Sequence, residues 1–79
     1  MTASAFILIQ TEVGKASEVT TAIRALQGVT SAEDVTGPYD VIVRADAESL
    51  DELGKLVVAK VQAVPGITRT VTCPVVNLS

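Results

Sequence analysis

Histidine and tryptophan are missing from this 79-residue sequence, and cysteine, phenylalanine and tyrosine occur once each. Without histidine the chain has neither the commonest general base nor the commonest metal ligand. The lone thiol, Cys73, permits no intrachain disulfide, and one thiol without histidine makes no zinc site. Cys73 has no basic residue closer in sequence than Arg69 and reads as a small inert hydrophobe. No catalytic group, no metal and no cofactor is expected. Basic residues are scarce too, six against nine acidic ones for a net charge of −3. Lys15, Arg24, Arg44, Lys55, Lys60 and Arg69 are scattered, and Phe6 and Tyr39 are the only aromatics. The chain by itself therefore offers neither a phosphate-tracking stripe nor a stacking platform, which disfavours direct nucleic-acid binding. Long apolar runs are also absent. The run Ala5-Phe6-Ile7-Leu8-Ile9 is far too short to cross a bilayer, so no membrane partner is expected and a cytoplasmic location is. Neither a G-x-G-x-x-G nor a P-loop pattern occurs.

What is present is a short chain rich in aliphatic residues, 48% of it hydrophobic. Its length predicts one domain, residues 1–79. A domain this small buries only roughly 60% of the surface its unfolded chain exposes, so without disulfides or metals it is expected to oligomerise.

Ala3 to Gln10 reads as a strand with Ala5, Ile7 and Ile9 on one face and Phe6 and Leu8 on the other. Gly14 marks a turn. Val19, Ala22, Ile23 and Leu26 then follow a helical spacing that Gln27-Gly28 ends. Val29 to Thr36 reads as a second, more polar strand, and Gly37-Pro38 breaks it. Tyr39-Asp40 opens a third strand through Val41-Ile42-Val43, and the short connection implies an antiparallel hairpin. Ser49 and Glu52 have capping-box spacing. A second helical stripe runs through Leu50, Leu53, Val57, Val61 and Val64 until Pro65-Gly66. The last strand, Ile67 to Val76, alternates Ile67, Arg69, Val71, Cys73 and Val75 with Thr68, Thr70 and Thr72. Pro74 removes a ladder donor and predicts an edge strand.

The order β-α-β-β-α-β predicts a ferredoxin-like α+β sandwich. Right-handed crossovers put both helices on one face of a four-stranded antiparallel sheet of order 4-1-3-2. The other face would then hold Phe6, Leu8 and their neighbours against water. Burying an aliphatic side chain is worth roughly 1.5–3 kcal/mol, so this face predicts a homodimer of stacked sheets, open to further assembly.

Candidate sites are few. Gly37-Pro38-Tyr39-Asp40 is either a plain hairpin turn or an open one, whose amides and Asp40 carboxylate would meet the carboxylate and ammonium of a zwitterion. Thr68, Thr70 and Thr72 are either ordinary strand residues or a hydroxyl row facing a partner sheet or ligand. Glu33 and Asp34 point to opposite faces, so they form no carboxylate dyad and read as solvated edge charges.

Two blocks in order carry a resemblance. Gly37-Pro38-Tyr39-Asp40-Val41-Ile42-Val43 resembles the G-x-Y-D turn and strand of the Lrp/AsnC effector-binding (RAM) domain. Val64-Pro65-Gly66-Ile67, followed by Thr70-Val71-Thr72, resembles that family's L-P-G-V…T-x-T segment. ACT domains share the element order, and the P-G-I…T-x-T ending favours the Lrp type. The resemblance implies dimers stacked through their sheets, ring-like higher oligomers, and amino acids or similar small effectors bound between dimers near the turn. It carries over Gly37, Pro38, Tyr39, Asp40, Thr70 and Thr72 as effector-binding positions. Members of the family begin with a DNA-binding helix-turn-helix, whereas here Met1 leads almost directly into the first strand, so the expectation is the stand-alone form of the domain. It would sense a small molecule, an amino acid first of all, through oligomeric assembly. The alternative is a protein-interaction module that co-assembles with full-length Lrp/AsnC regulators or another partner. An enzyme is disfavoured: small ferredoxin-like enzymes recruit histidine, tryptophan or asparagine, and the sole candidate is Asn77.

Overall fold

The computed structural model describes residues 2–76, so Asn77 lies outside the described residues. The strands are β1 (Ala3–Thr11), β2 (Val29–Asp34), β3 (Val41–Ala47) and β4 (Ile67–Pro74). Helix α1 spans Ala16–Arg24. Helix α2 is composite: α-helical over Leu50–Glu52, π-helical over Leu53–Val58 and α-helical again over Ala59–Gln62. The sheet order is β2-β3-β1-β4 with every pairing antiparallel. This is the expected 4-1-3-2 order read from the other edge.

The alternation of β1 sorts its side chains as expected. Ala5, Ile7 and Ile9 are fully buried. In register with them on β3 lie Ala45, Val43 and Val41, also fully buried. Val19 and Ile23 of α1 and Leu53, Val57 and Val61 of α2 close over that face in one core cluster. Both helices therefore cover the same side, as two right-handed crossovers require.

The opposite side of the sheet carries Phe6 and Leu8 on β1, Ile42 and Arg44 on β3, and Val71 and Cys73 on β4. Phe6 is 39% exposed, and the Arg44 guanidinium stands 5.5 Å from its ring centroid. Leu8, Ile42 and Val71 are half-buried, and among the described residues no layer lies above them. The two-faced character read from β1 is thus real.

Four expectations about detail are corrected. The helical spacing puts Leu50 on the apolar stripe of α2, but it is 60% exposed. The cause lies in the π segment, where Ala59 N–H bonds to the Gly54 carbonyl five residues back. Each such bond adds a residue to the turn, so the residues before it are rotated away from the stripe that follows. Ala22 of α1 is exposed, while Thr20 is buried and donates to the Asp34 carboxylate. Asp34 is therefore a partner of α1 rather than only a solvated edge charge. In β4 the register slips beside Gln10 and Thr11: Arg69 pairs with Gln10, but Ile67 pairs with Thr11 and Thr68 is skipped. Ile67 thereby joins the covered core instead of sharing a face with Val71.

Pro74 sits on an edge strand as expected. Val75 N–H donates to the Ser4 carbonyl at 2.8 Å. Antiparallel alternation then points the Pro74 nitrogen off the free edge, where a missing N–H forfeits no ladder bond. Gly28, at the corner between α1 and β2, is required twice over. Its φ is +94°, and a Cβ there would lie 2.7 Å from a methyl group of Val57.

Candidate functional site

The segment between β2 and β3 is built from local backbone chemistry. Gly37 has φ +135°, a conformation that side chains rarely adopt, while a Cβ there would meet nothing within 4 Å. The glycine is thus demanded by backbone angle and not by crowding. The fixed ring of Pro38 and the half-buried Tyr39 follow, and then Asp40 re-enters the sheet.

Asp40 is the hub of this end. Its N–H donates to the Ile9 carbonyl at 2.8 Å, and its carbonyl accepts from Val35 N–H at 2.9 Å. Its carboxylate Oδ2 accepts from the Thr11 backbone N–H at 2.9 Å and from the Thr11 hydroxyl at 3.4 Å. Gln10 adds a side-chain donor, Nε2 to the Pro38 carbonyl at 2.9 Å. The turn is therefore stapled to the end of the central strand β1, at the place where the β1–β4 register slips. A plain hairpin reading anticipated a bond from Asp40 to its own turn. The carboxylate instead serves a strand 29 residues away in sequence.

This leaves specific groups free. Both carboxylate bonds go to Oδ2, so among the described residues Oδ1 accepts none. The N–H groups of Gly37 and Tyr39 donate to no described backbone or side-chain acceptor. An acceptor oxygen and two amide donors on a stapled turn are the complement of an ammonium and a carboxylate. Next to the turn lies an open cleft of about 500 Å³ lined by Asp34, Val35 and Thr36.

Gly37, Pro38, Tyr39 and Asp40 are thus together at one end of the sheet. Thr70 and Thr72 are placed differently from the hydroxyl row imagined above. They pair with Ile9 and Ile7, which puts them on the helix-covered side of the sheet rather than the open side. Thr70 accepts a hydrogen bond from Gln62 Nε2 at 3.2 Å, and Thr68 is exposed at the slip. Because Thr70 pairs with Ile9 and Asp40 bonds the same Ile9, Thr70 lies near the turn's end of the sheet, two strands from it. Thr72 lies one step further away.

Sequence reading missed Gln10 and Thr11 as members of this site. A signal existed: once β1 and β3 are antiparallel with Ile9 opposite Val41, Gln10 must fall beside Asp40.

At the other end of the β2–β3 hairpin, Asp46 accepts from the Ser4 and Thr30 hydroxyls, with Arg44 at 4.0 Å. The Ser4 hydrogen bond and then the Thr30 one hold its carboxyl below the ordinary carboxylate value against an opposing push from desolvation, and the Arg44 charge adds the smallest contribution. Among the described residues no group of three or more acidic, histidine or cysteine side chains could hold a metal ion, and no helix is long and apolar enough to cross a membrane.

Comparison with known proteins bears on this geometry. Residues 4–78 match the Lrp/AsnC ligand binding domain. An uncharacterized HTH-type transcriptional regulator of Pyrococcus furiosus, PF0250, is 31% identical over 72 residues, covering 87% of this chain and 48% of that protein. The chain thus spans about half the length of that relative. The crystal structure of the hypothetical protein PHS023 from Pyrococcus horikoshii superposes with a TM-score of 0.86 at 33% identity, covering 96% of this chain and 92% of that one. The Neisseria meningitidis transcriptional regulator NMB0573, solved as an L-Met complex, shares the fold with a TM-score of 0.79 at 19% identity, over 95% of this chain and 50% of that one.

Proposed function

The chain belongs to the Lrp/AsnC ligand-binding-domain family, and from that premise we propose that it is a non-catalytic cytoplasmic sensor of a small zwitterion, an amino acid first of all, that acts by assembling with copies of itself. The observation that carries this reading is the stapled turn: Asp40 Oδ1 and the amides of Gly37 and Tyr39 are unengaged among the described residues on a backbone that Gln10 and Thr11 hold in place. Groups held in advance lose little entropy on binding.

The open sheet face supplies the assembly. Phe6, Leu8, Ile42 and Val71 form an apolar centre that a second copy of the same face would cover. A neighbouring copy is also the simplest source of the wall that the cleft before the turn lacks in one chain. Thr70, on the covered side two strands away, contributes to a ligand only if that ligand reaches across the end of β1. Thr72 is further still. The NMB0573 protein, half of whose chain shares this fold, was solved in complex with L-Met.

The test is a thermal-shift and calorimetry screen against the common amino acids, with sedimentation velocity run with and without each hit. A hit raises the melting temperature and shifts the assembly state. A monomer at micromolar concentration that no amino acid stabilises at millimolar concentration would sink the proposal. The same open face fits a second occupant, a full-length Lrp/AsnC regulator. Co-purification from the native cell with such a protein and no ligand response would favour that module reading over the sensor.

A further inference from the structure

A different concavity lies at the opposite end of the β2–β3 hairpin from the turn, separated from it by the six residues of β2, about 20 Å at the rise of a strand. Its volume is about 370 Å³, at the lower end of the range for small-molecule sites. It is walled by Gly28 at the corner of α1 and β2, by Asp46 and Glu48 at the end of β3, and by Glu52, Val57 and Lys60 of α2. All of these walls come from one chain.

Three features set this cleft apart from ordinary surface relief. First, its charges are unspent. Lys15, Arg24, Arg44 and Lys55 each stand within 4.0 Å of a carboxylate. Among the described residues Lys60, Glu48 and Glu52 form no ion pair, although all three line one cleft. Charges of opposite sign face a common space without meeting across it. Second, the floor is apolar and close-packed. Gly28 has no side chain, and Val57, only 3% exposed, packs where its Cβ would be and lines the cleft with the little surface it leaves open. Third, the wall from α2 includes part of its π-helical segment, which holds Val57. Asp46 is not counted as a ligand group, because its carboxylate is already taken by Ser4 and Thr30.

We infer that this cleft is a second binding site, for an amino-acid-sized zwitterion whose carboxylate meets Lys60, whose ammonium meets Glu48 and Glu52, and whose side chain rests on Val57 and Gly28. The site does not depend on the reading of the turn. It needs no second copy, so its occupancy is independent of protein concentration, unlike a site completed by assembly.

The experiment is a titration of the labelled, full-length protein followed by its amide resonances, with each common L-amino acid added singly to about 10 mM, a concentration that reports dissociation constants into the millimolar range. The expected result is saturable movement of the Gly28, Glu48 and Val57 amides by at least one of them, with a midpoint that does not change when the protein is diluted about tenfold. Lys60→Met and Glu52→Gln alter exposed side chains that pair with no described residue, so both variants fold. Each weakens that midpoint by about tenfold, the loss of one charged contact. Movement confined to Gly37, Tyr39 and Asp40 overturns the cleft and leaves the turn reading standing. Absence of movement at Gly28 with every amino acid overturns it whatever happens at the turn. Movement at Gly28 that both variants leave unchanged overturns the assignment of the charged contacts.

Discussion

The two faces of β1 are built from the same kinds of side chain and have opposite fates. Ala5, Ile7 and Ile9 on one side are fully buried under two helices. Phe6 and Leu8 on the other stand beneath no layer, with Phe6 39% exposed. Composition alone does not separate them, since both are apolar. What separates them is handedness: each βαβ crossover turns the same way, so both helices arrive on one side. The difference teaches that the covered face stores the stability of the single chain, while the open face leaves apolar surface uncovered, the surface on which the proposed assembly rests.

The sharpest way to break this comparison is to truncate one residue on each face. Ile7→Ala removes a fully buried side chain among Val43, Val19 and their neighbours. It is expected to cost about 2–5 kcal/mol and leave most of the chain unfolded, read by urea denaturation. A variant that unfolds at the same urea concentration as the parent would contradict the assignment of Ile7 to the core.

Leu8→Glu carries the same test to the other face. It places a charge at the centre of the apolar patch without touching the helix-covered core. The expected outcome is a folded chain by circular dichroism whose sedimentation coefficient falls to that of a monomer. If assembly survives Leu8→Glu, the open face is not the contact between copies.

A smaller effect distinguishes the two roles of Asp40. Asp40→Ala leaves the half-buried Thr11 N–H without its acceptor and is expected to destabilise by about 1–3 kcal/mol. Asp40→Asn keeps an oxygen in place and costs less, while weakening ligand binding through loss of the charge. Chemical denaturation and calorimetry of both variants separate the structural role from the recognition role. Equal losses in both measurements would mean that Asp40 is only a staple.

The smallest expected effect is acidic. The Asp46 carboxyl titrates below its ordinary value of 3.8 because it accepts from Ser4 and Thr30 and lies near Arg44. A depressed native value means that the unfolded chain binds a proton first as pH falls. The contribution is therefore present above pH 3.8 and is lost as pH drops below it through the native value. Thermal melts from neutral pH to below 3.8 should show a slightly shallower acid decline in Thr30→Ala than in the parent. An identical decline in both would remove Asp46 from the account.

Legibility in the sequence was uneven for physical reasons. The alternation in β1, the helical stripe of α1 and the breaks at Gly28, Gly37 and Pro65-Gly66 are local, and they placed the elements and their order. The Gly37-Pro38-Tyr39-Asp40 turn was legible because glycine and proline mark backbone angles directly. Its fastening was not, because Gln10 and Thr11 are near Asp40 only after β1 and β3 pair. The π-helical stretch of α2 also left no mark in the residue spacing. Leu50, Leu53, Val57 and Val61 suit an α-helical stripe, and only packing against Gly28 and β3 reveals that Leu50 is off it.

Sequence by itself determined the βαββαβ order, the placing of both helices on one face through crossover handedness, the strand order usual for that pattern, the apolar character of both faces of β1 and the edge position of Pro74. These follow from periodicity and from the missing N–H of proline, which act within a few residues. Tertiary structure alone decided the register. The slip beside Gln10 and Thr11 moves Ile67 into the core and skips Thr68, and the pairing of Thr70 and Thr72 with Ile9 and Ile7 turns them to the covered side. A strand's alternation says only that neighbours point opposite ways. Which way is up depends on the bond across to the next strand, and that bond exists only once the chain has folded.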